Sequence, residues 1–230
     1  MTRVDLGPTY PSVGWPKISI KPLMASISDP RWNSAGAIVG PGFYPSGRVA
    51  VLNEAGEVSR VFGALPPGDS AIPYVVRQEA YRSSIAMSPN REKLVLATRY
   101  SDRLDYFDVK GTKLGENARP FSFEPKFSVQ KGARGPVMAS GDDMRYGYTA
   151  VAATERLVFA LFSGRTRTGF NQQASFANFL HVYDWSGHLI RVFRLDASVQ
   201  SLAVADDGSR VYTLRHDPMP SVLVYDLPKL

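Results

Sequence analysis

The 230-residue sequence contains no cysteine. That excludes a disulfide framework, a thiolate nucleophile and any Cys-ligated zinc. Histidine is scarce, with only His181, His188 and His216. No apolar run approaches the ~18 residues that a membrane span requires. No stretch sustains a 3.6-residue apolar period, so few helices are expected. Charged residues make up 21% of the chain and hydrophobic ones 44%, a balance of a packed domain and not of a disordered chain. There is no dense Lys/Arg run, although 27 basic residues against 21 acidic ones leave a net charge of +6. Diffuse positive charge favours anions in general. Without a basic stripe or an RNA-binding motif, nucleic acid is not the expected partner. The first 22 residues contain Pro8, Pro11, Pro16 and Pro22 and no apolar h-region, so no signal peptide is read there. The compartment stays open, extracytoplasmic if the N-terminus is truncated.

Signals for catalysis are equally thin. There is no G-x-S-x-G elbow, P-loop or zinc-ligand spacing. Gly40-Pro41-Gly42 is too short to mean dinucleotide binding and is expected between strands. Asp206-Asp207-Gly208 reads as a turn and not as a calcium loop. His181 and His188 are expected on strands, and His216-Asp217 in a turn. No catalytic residue, metal or cofactor is therefore expected.

What the chain does have is internal repetition. Arg48 to Phe62 reads RVAVLNEAGEVSRVF and Leu180 to Phe193 reads LHVYDWSGHLIRVF. Aligning Gly56 with Gly187 sets Asn53 on Asp184 and Val61-Phe62 on Val192-Phe193. Leu104 to Leu114 fits the same frame through Asp108 and Gly111, and Val222 to Leu227 fits its first half through Asp226. A second pattern precedes three of these: SIAMSPNREKLVLA from Ser84, TAVAATERLVFAL from Thr149 and SLAVADDGSRVYTL from Ser201. Short runs rich in Val, Leu, Tyr and Phe, bounded by Gly, Asp, Asn and Ser, are strands. Together they make a four-strand unit, and Asp184 to Asp226 spans 42 residues, a propeller blade period. The prediction is an all-β chain: a β-propeller of four-stranded antiparallel blades, with about four blades at roughly 18–65, 81–123, 146–195 and 199–227. The last stops after its third strand, and Lys17 to Ile20 is a candidate for the missing fourth. The recurring Asp108, Asp184 and Asp226 are expected to bond the turn that follows them.

The run from Tyr81 to Gly111, YRSSIAMSPNREKLVLATRYSDRLDYFDVKG, resembles the bacterial TolB-like six-bladed β-propeller family. The shared marks are Ala80-Tyr81 opening the blade, the Ser88-Pro89 turn, the Tyr100-Ser101-Asp102 step and the Tyr106-Phe107-Asp108 strand. Leu161 to Arg167 and Arg215 to Pro220 resemble that family's late blades. The resemblance runs from about Gly47 to the end and implies that the chain corresponds to four blades of a six-bladed ring. It implies architecture and no particular activity.

Strand alternation then predicts where a ligand would sit. The one–two and three–four turns are tight and share one face. The two–three loops and interblade links share the other, with insertions at 66–79, 124–145, 163–177 and 215–220. Long loops gathered on one face point to binding there. Ser163 to Ala177, SGRTRTGFNQQASFA, carries Arg165 and Arg167 with no acid of its own. Arginine offers planar bidentate recognition of carboxylate or phosphate. The candidate ligand-binding residues are Arg165, Arg167, Phe170, Asn171, Arg215 and His216. In the 124–145 insertion, Asp142 and Asp143 are expected to pair with Arg145, and Gly132 and Gly135 to make the segment mobile. The functional expectation is a non-catalytic propeller that binds an anionic small molecule or a protein on its long-loop face. The rival is a propeller hydrolase or lyase working in the central channel.

Overall fold

The structure, a computed structural model, describes residues 27–216 and 218–229. The proposed strand at Lys17 to Ile20 lies outside the described residues. The chain opens on a sheet of β1 (Arg31–Trp32), β2 (Ile38–Tyr44), β3 (Gly47–Leu52) and β4 (Val58–Phe62). Helix α1 (Tyr74–Ala80) leads to the second sheet, β5 (Ser83–Met87), β6 (Lys93–Thr98), β7 (Leu104–Asp108) and β8 (Lys113–Glu116). A separate hairpin follows, β9 (Ser128–Gly132) and β10 (Gly135–Ala139). The third sheet is β11 (Tyr148–Ala153), β12 (Leu157–Phe162), β13 (Ala177–Asp184) and β14 (Leu189–Val199). Helix α2 (Arg167–Phe170) and a 3₁₀ turn (Asn171–Ser175) lie between β12 and β13. The last sheet has three strands, β15 (Ser201–Val204), β16 (Arg210–Arg215) and β17 (Ser221–Asp226). Every sheet is antiparallel with its strands in chain order, the meander of a propeller blade.

Blade stacking follows from strand parity. Successive side chains leave opposite faces, so a strand between two blades must be apolar on both. On β6, Leu94 and Leu96 pack against Val49, Val51 and Phe62 of the first blade. Their alternates Val95 and Ala97 pack against Tyr148, Val158 and Phe162 of the third. The third blade presents Phe159, Leu161, Leu180 and Val182 to Val211, Leu202 and Leu223 of the fourth. Each interface is thus a two-sheet sandwich, and hydrophobic burial across three of them is the main stabilising contribution.

The turns are built as the repeats predict. Asp108 Oδ1 accepts the Thr112 N–H at 2.8 Å, and Asp184 Oδ1 accepts those of Ser186 and His188 at 2.9 and 3.0 Å. Asn53 does the same for Ala55 and Glu57. Asp226, expected to bond the turn after it, instead pairs with Arg210 at the end of β17. Gly187 sits at φ +91°, and a Cβ there would lie 2.5 Å from the Glu116 carbonyl oxygen of the second blade. The turn therefore needs glycine both for its conformation and for the approach of its neighbour.

Some local expectations are corrected. His188 lies in the β13–β14 turn, where Asp184 and Ser186 engage its ring, and not on a strand. Gly40-Pro41-Gly42 falls inside β2, whose pairing with β3 shifts register between Pro41 and Tyr44. Gly132 and Gly135 face each other at the tip of the β9–β10 hairpin, so this part of the insertion is paired strand and not loose loop. Among the described residues, no helix is long and apolar enough to cross a membrane.

Candidate functional site

Strand direction places all the long segments at one end of the blades. These are the α1 link (63–82), the hairpin link (117–147) and the α2 loop (163–176). α1 anchors the first of these. Gln78, although polar, is buried and donates to the carbonyls of Tyr44 and Gly47 at 2.6 and 2.8 Å, closing the β2–β3 turn. Arg77 donates to the Pro66 carbonyl and ties the helix to the start of its own link.

The α2 loop is ordered by its own contacts. Ser163 Oγ donates to the Ala174 carbonyl at 2.6 Å across the loop base. Arg165 lies half-buried under the Phe170 ring, 4.7 Å from its centroid, and donates to Ser198 Oγ at 3.0 Å. Burial lowers the Arg165 pKa from its ordinary value. Arg167 is exposed and pairs with Asp142 of the hairpin link at 3.3 Å. The loop lacks its own acid, but folding supplies one. Phe170 and Asn171 are exposed at the tip, and Asn171 takes φ +51°. Arg215 bonds Ser221 Oγ at 3.1 Å, and the exposed His216 ring lies 6.1 Å from that of Phe176. The six sequence-selected residues therefore fall in the α2 loop and at the end of β16, and Phe176 of the loop lies beside His216.

The expected pairing of Asp142 and Asp143 with Arg145 does not form. Asp142 is taken by Arg167 and Asp143 by Lys126, while Arg145 lies over the Phe123 ring at 5.4 Å. A turn at 141–144 sends the acids and Arg145 to different neighbours.

The long-loop end also holds a cleft of about 370 Å³ between the first three blades. Pro41, Gly42 and Phe43 form one wall, Tyr81 and Arg82 the approach from α1, and Arg99 and Thr149 the far side. Arg48 reaches it from beneath, fully buried and paired with Asp105 at 2.6 Å. Burial pushes the Asp105 pKa up, but Arg48, Arg103 and Lys113 outweigh it and hold the carboxyl below its ordinary value. Sequence reasoning missed this cleft. The signal lay outside the four insertions, in Arg82 just before β5 and Arg99 just after β6.

Two buried polar networks brace the second and third blades nearby, the second of them through the cleft residue Tyr148. Asp102 is completely buried and accepts the N–H groups of Phe121 and Ser122 at 2.8 Å each, with Arg119 at 3.1 Å on its other oxygen. This folds the start of the hairpin link back onto the second blade. Beside it, the Tyr148 hydroxyl lies 2.7 Å from that of Tyr183, and both sit 3.3 to 3.4 Å from His181 Nδ1. The His181 ring stacks on Phe162 at 4.8 Å, and burial lowers its pKa to about 4. Among the described residues, no three His, Asp or Glu side chains gather as a metal-binding group.

A chain of hydrazine synthase from Kuenenia stuttgartiensis is similar to this one with a TM-score of 0.51 and 10% identity, over 95% of this chain and 49% of that one. A chain of a mitotic checkpoint complex is similar with a TM-score of 0.49 and 16% identity, over 96% of this chain and 59% of that one. The present chain thus spans about half the length of the first and under two thirds of the second, and the likeness to the first concerns the fold alone. No curated protein sequence matches significantly. A propeller-type fold serves binding or scaffold roles in general. The TolB-like 6-blade propeller-like family model matches residues 35–207, most of the chain, and the protein belongs to that family.

Proposed function

We propose that this protein is a non-catalytic binding propeller that receives an anionic small molecule or protein segment on its long-loop face. The observation that carries the reading is the one-sided build of the molecule. Among the described residues, the opposite face has only short turns, such as 53–57, 109–112 and 185–188, each closed by an Asn or Asp side chain. The long-loop face has a helix, a hairpin, an ordered α2 loop and a cleft. Chain invested in ordered insertions on one side of a rigid scaffold supports recognition there. Arg82, Arg99, Arg165 and Arg215 all project from that end and favour anions.

Arg165, Arg167, Phe170, Asn171, Arg215 and His216 form the rim of this proposed surface. Arg165 has less freedom than the others, because Phe170 and Ser198 already hold it. The test is hydrogen exchange with and without the small anion that most raises the melting temperature in a panel. Protection is expected in 66–82, 99–103 and 163–176. Protection confined to 53–57, 109–112 and 185–188 would refute the assignment of the face.

A further inference from the structure

The cleft between the first three blades carries charge and hydrogen-bonding capacity that the fold itself leaves unused. Three arginines line it, and two are neutralised: Arg48 by Asp105 at 2.6 Å and Arg82 by Glu79 at 2.7 Å. The lining carboxylate Asp29 is taken by Arg31. Arg99 is the third. Among the described residues it forms no ion pair, and its guanidinium lies against the rings of Tyr100 and Tyr146, 5.7 and 5.6 Å from their centroids. Those two rings meet edge to face at 5.3 Å and hold a fixed seat.

The backbone beneath Arg99 is equally fixed. Its N–H donates to the Arg82 carbonyl at 2.9 Å, and its carbonyl accepts from Gly147 at 2.6 Å. Gly147 cannot be replaced without a clash, because a Cβ there would sit 1.8 Å from the Ser101 carbonyl oxygen. A cation held this way at the rim of a cavity is organised before any ligand arrives. On the same side of the cleft as Arg99, Thr149 Oγ1 is buried and has no hydrogen-bond partner, which is uncommon for a buried hydroxyl. Phe43, Pro41 and Gly42 supply an apolar wall on the side of the first blade.

We infer that this cleft is a binding site for a small hydroxylated monocarboxylate, its carboxylate on Arg99 and a ligand hydroxyl on Thr149. The inference rests on the long-loop reading and gives it a specific seat. One free guanidinium matches one planar carboxylate, to which it can donate two parallel N–H bonds. A phosphate dianion would call for several donors or a helix N-terminus, whereas α1 brings its C-terminal, carbonyl end towards the cleft through Gln78 and Tyr81. The cleft, of about 370 Å³, is large enough to admit a small molecule. That suits a short polyhydroxy acid whose C–H face lies on Phe43.

Isothermal titration with D-gluconate as probe tests this, with glucose and inorganic phosphate as counter-probes. The expected result is saturable gluconate binding that Arg99→Met weakens at least tenfold and Thr149→Val several-fold. Lys110→Met, in the 109–112 turn of the opposite face, should leave it unchanged, and glucose and phosphate should bind at least tenfold more weakly. Arg99→Lys, which keeps the charge but not the bidentate fork, should also lose most of the affinity. Melting curves of each variant separate lost binding from lost folding. Absence of binding by gluconate, glucuronate and lactate alike overturns the carboxylate assignment, as does Arg99-dependent binding of phosphate tighter than that of gluconate. Gluconate binding that survives Arg99→Met but is lost in Arg165→Met overturns the cleft site and leaves the long-loop face standing. Binding that none of these variants changes overturns both.

Discussion

Acid should destabilise this protein through one residue more than through any other histidine. His181 is 3% exposed and stacked on Phe162, with the Tyr148 and Tyr183 hydroxyls at its Nδ1. Burial lowers its pKa from 6.5 to about 4, because a desolvated imidazolium costs more than the neutral ring. The unfolded chain therefore takes up a proton before the folded one does. Stability contributed by neutral His181 is present above pH 6.5 and is lost as pH falls from 6.5 to 4. Below 4 both states are protonated and the loss is complete. At ~1.4 kcal/mol per pKa unit, the gap corresponds to about 3 kcal/mol. For a domain with a typical total of ~5–15 kcal/mol that is a large share. Urea denaturation between pH 4 and 7.5 measures it, with His181→Asn as the non-titrating comparison. Carboxylates titrate in both proteins and cancel in the difference. His188 and His216 are exposed and present in both. The wild type should lose about 3 kcal/mol more than the variant over that range. Two curves that stay parallel from pH 7 to 4 would refute the assignment of the acid sensitivity to His181.

Three further perturbations follow from contacts in the blades. Gly147→Ala should leave little folded protein, since its Cβ would meet the Ser101 carbonyl oxygen at 1.8 Å, whereas Gly169→Ala, with nothing within 4 Å, should melt within a degree or two of wild type; soluble yield and thermal melts compare them. Asp105→Asn should cost about 3–5 kcal/mol by leaving Arg48 buried without its carboxylate, and Arg48→Met with Asp105→Leu should recover most of it, as chemical denaturation would show. Asp184→Ala should cost about 1–2 kcal/mol by releasing the N–H groups of Ser186 and His188, and hydrogen exchange should speed up at 185–188 with no change in the α2 loop.

The blade repeat was legible because it is written in local chemistry. Asn53, Asp108 and Asp184 close the same turn with the same oxygen, so aligning one on another aligned the strands on either side. The face that carries the long loops followed from strand alternation alone. The partners within those loops did not. Arg167 finds Asp142 and Asp143 finds Lys126 because two insertions fold against each other, and sequence distance carries no trace of that. The neighbouring acids and Arg145 looked like a local pair, but a turn separates them and an aromatic ring offers Arg145 a better seat. Arg99 was hidden for a similar reason. It stands in the short β6–β7 connection, and its role depends on Tyr146, which belongs to the next blade.

The fourth blade shows where sequence pattern and burial part company. Strand pairing sets Leu157 opposite Asp184 in the third blade and Arg210 opposite Asp226 in the fourth. In that common register Phe159, Leu161, Leu180 and Val182 correspond to Tyr212, Leu214, Val222 and Val224. The first four are fully buried under the fourth blade, and the second four are exposed. Both sets are equally apolar, because a blade that stacks on both sides must carry apolar side chains at both parities. Composition therefore encodes the capacity to stack, while burial reports whether a neighbour is in place. The same separation holds for the cleft: the residues that line it are fixed by blade register, but its vacant charge exists only because the neighbouring arginines find carboxylates and Arg99 finds rings.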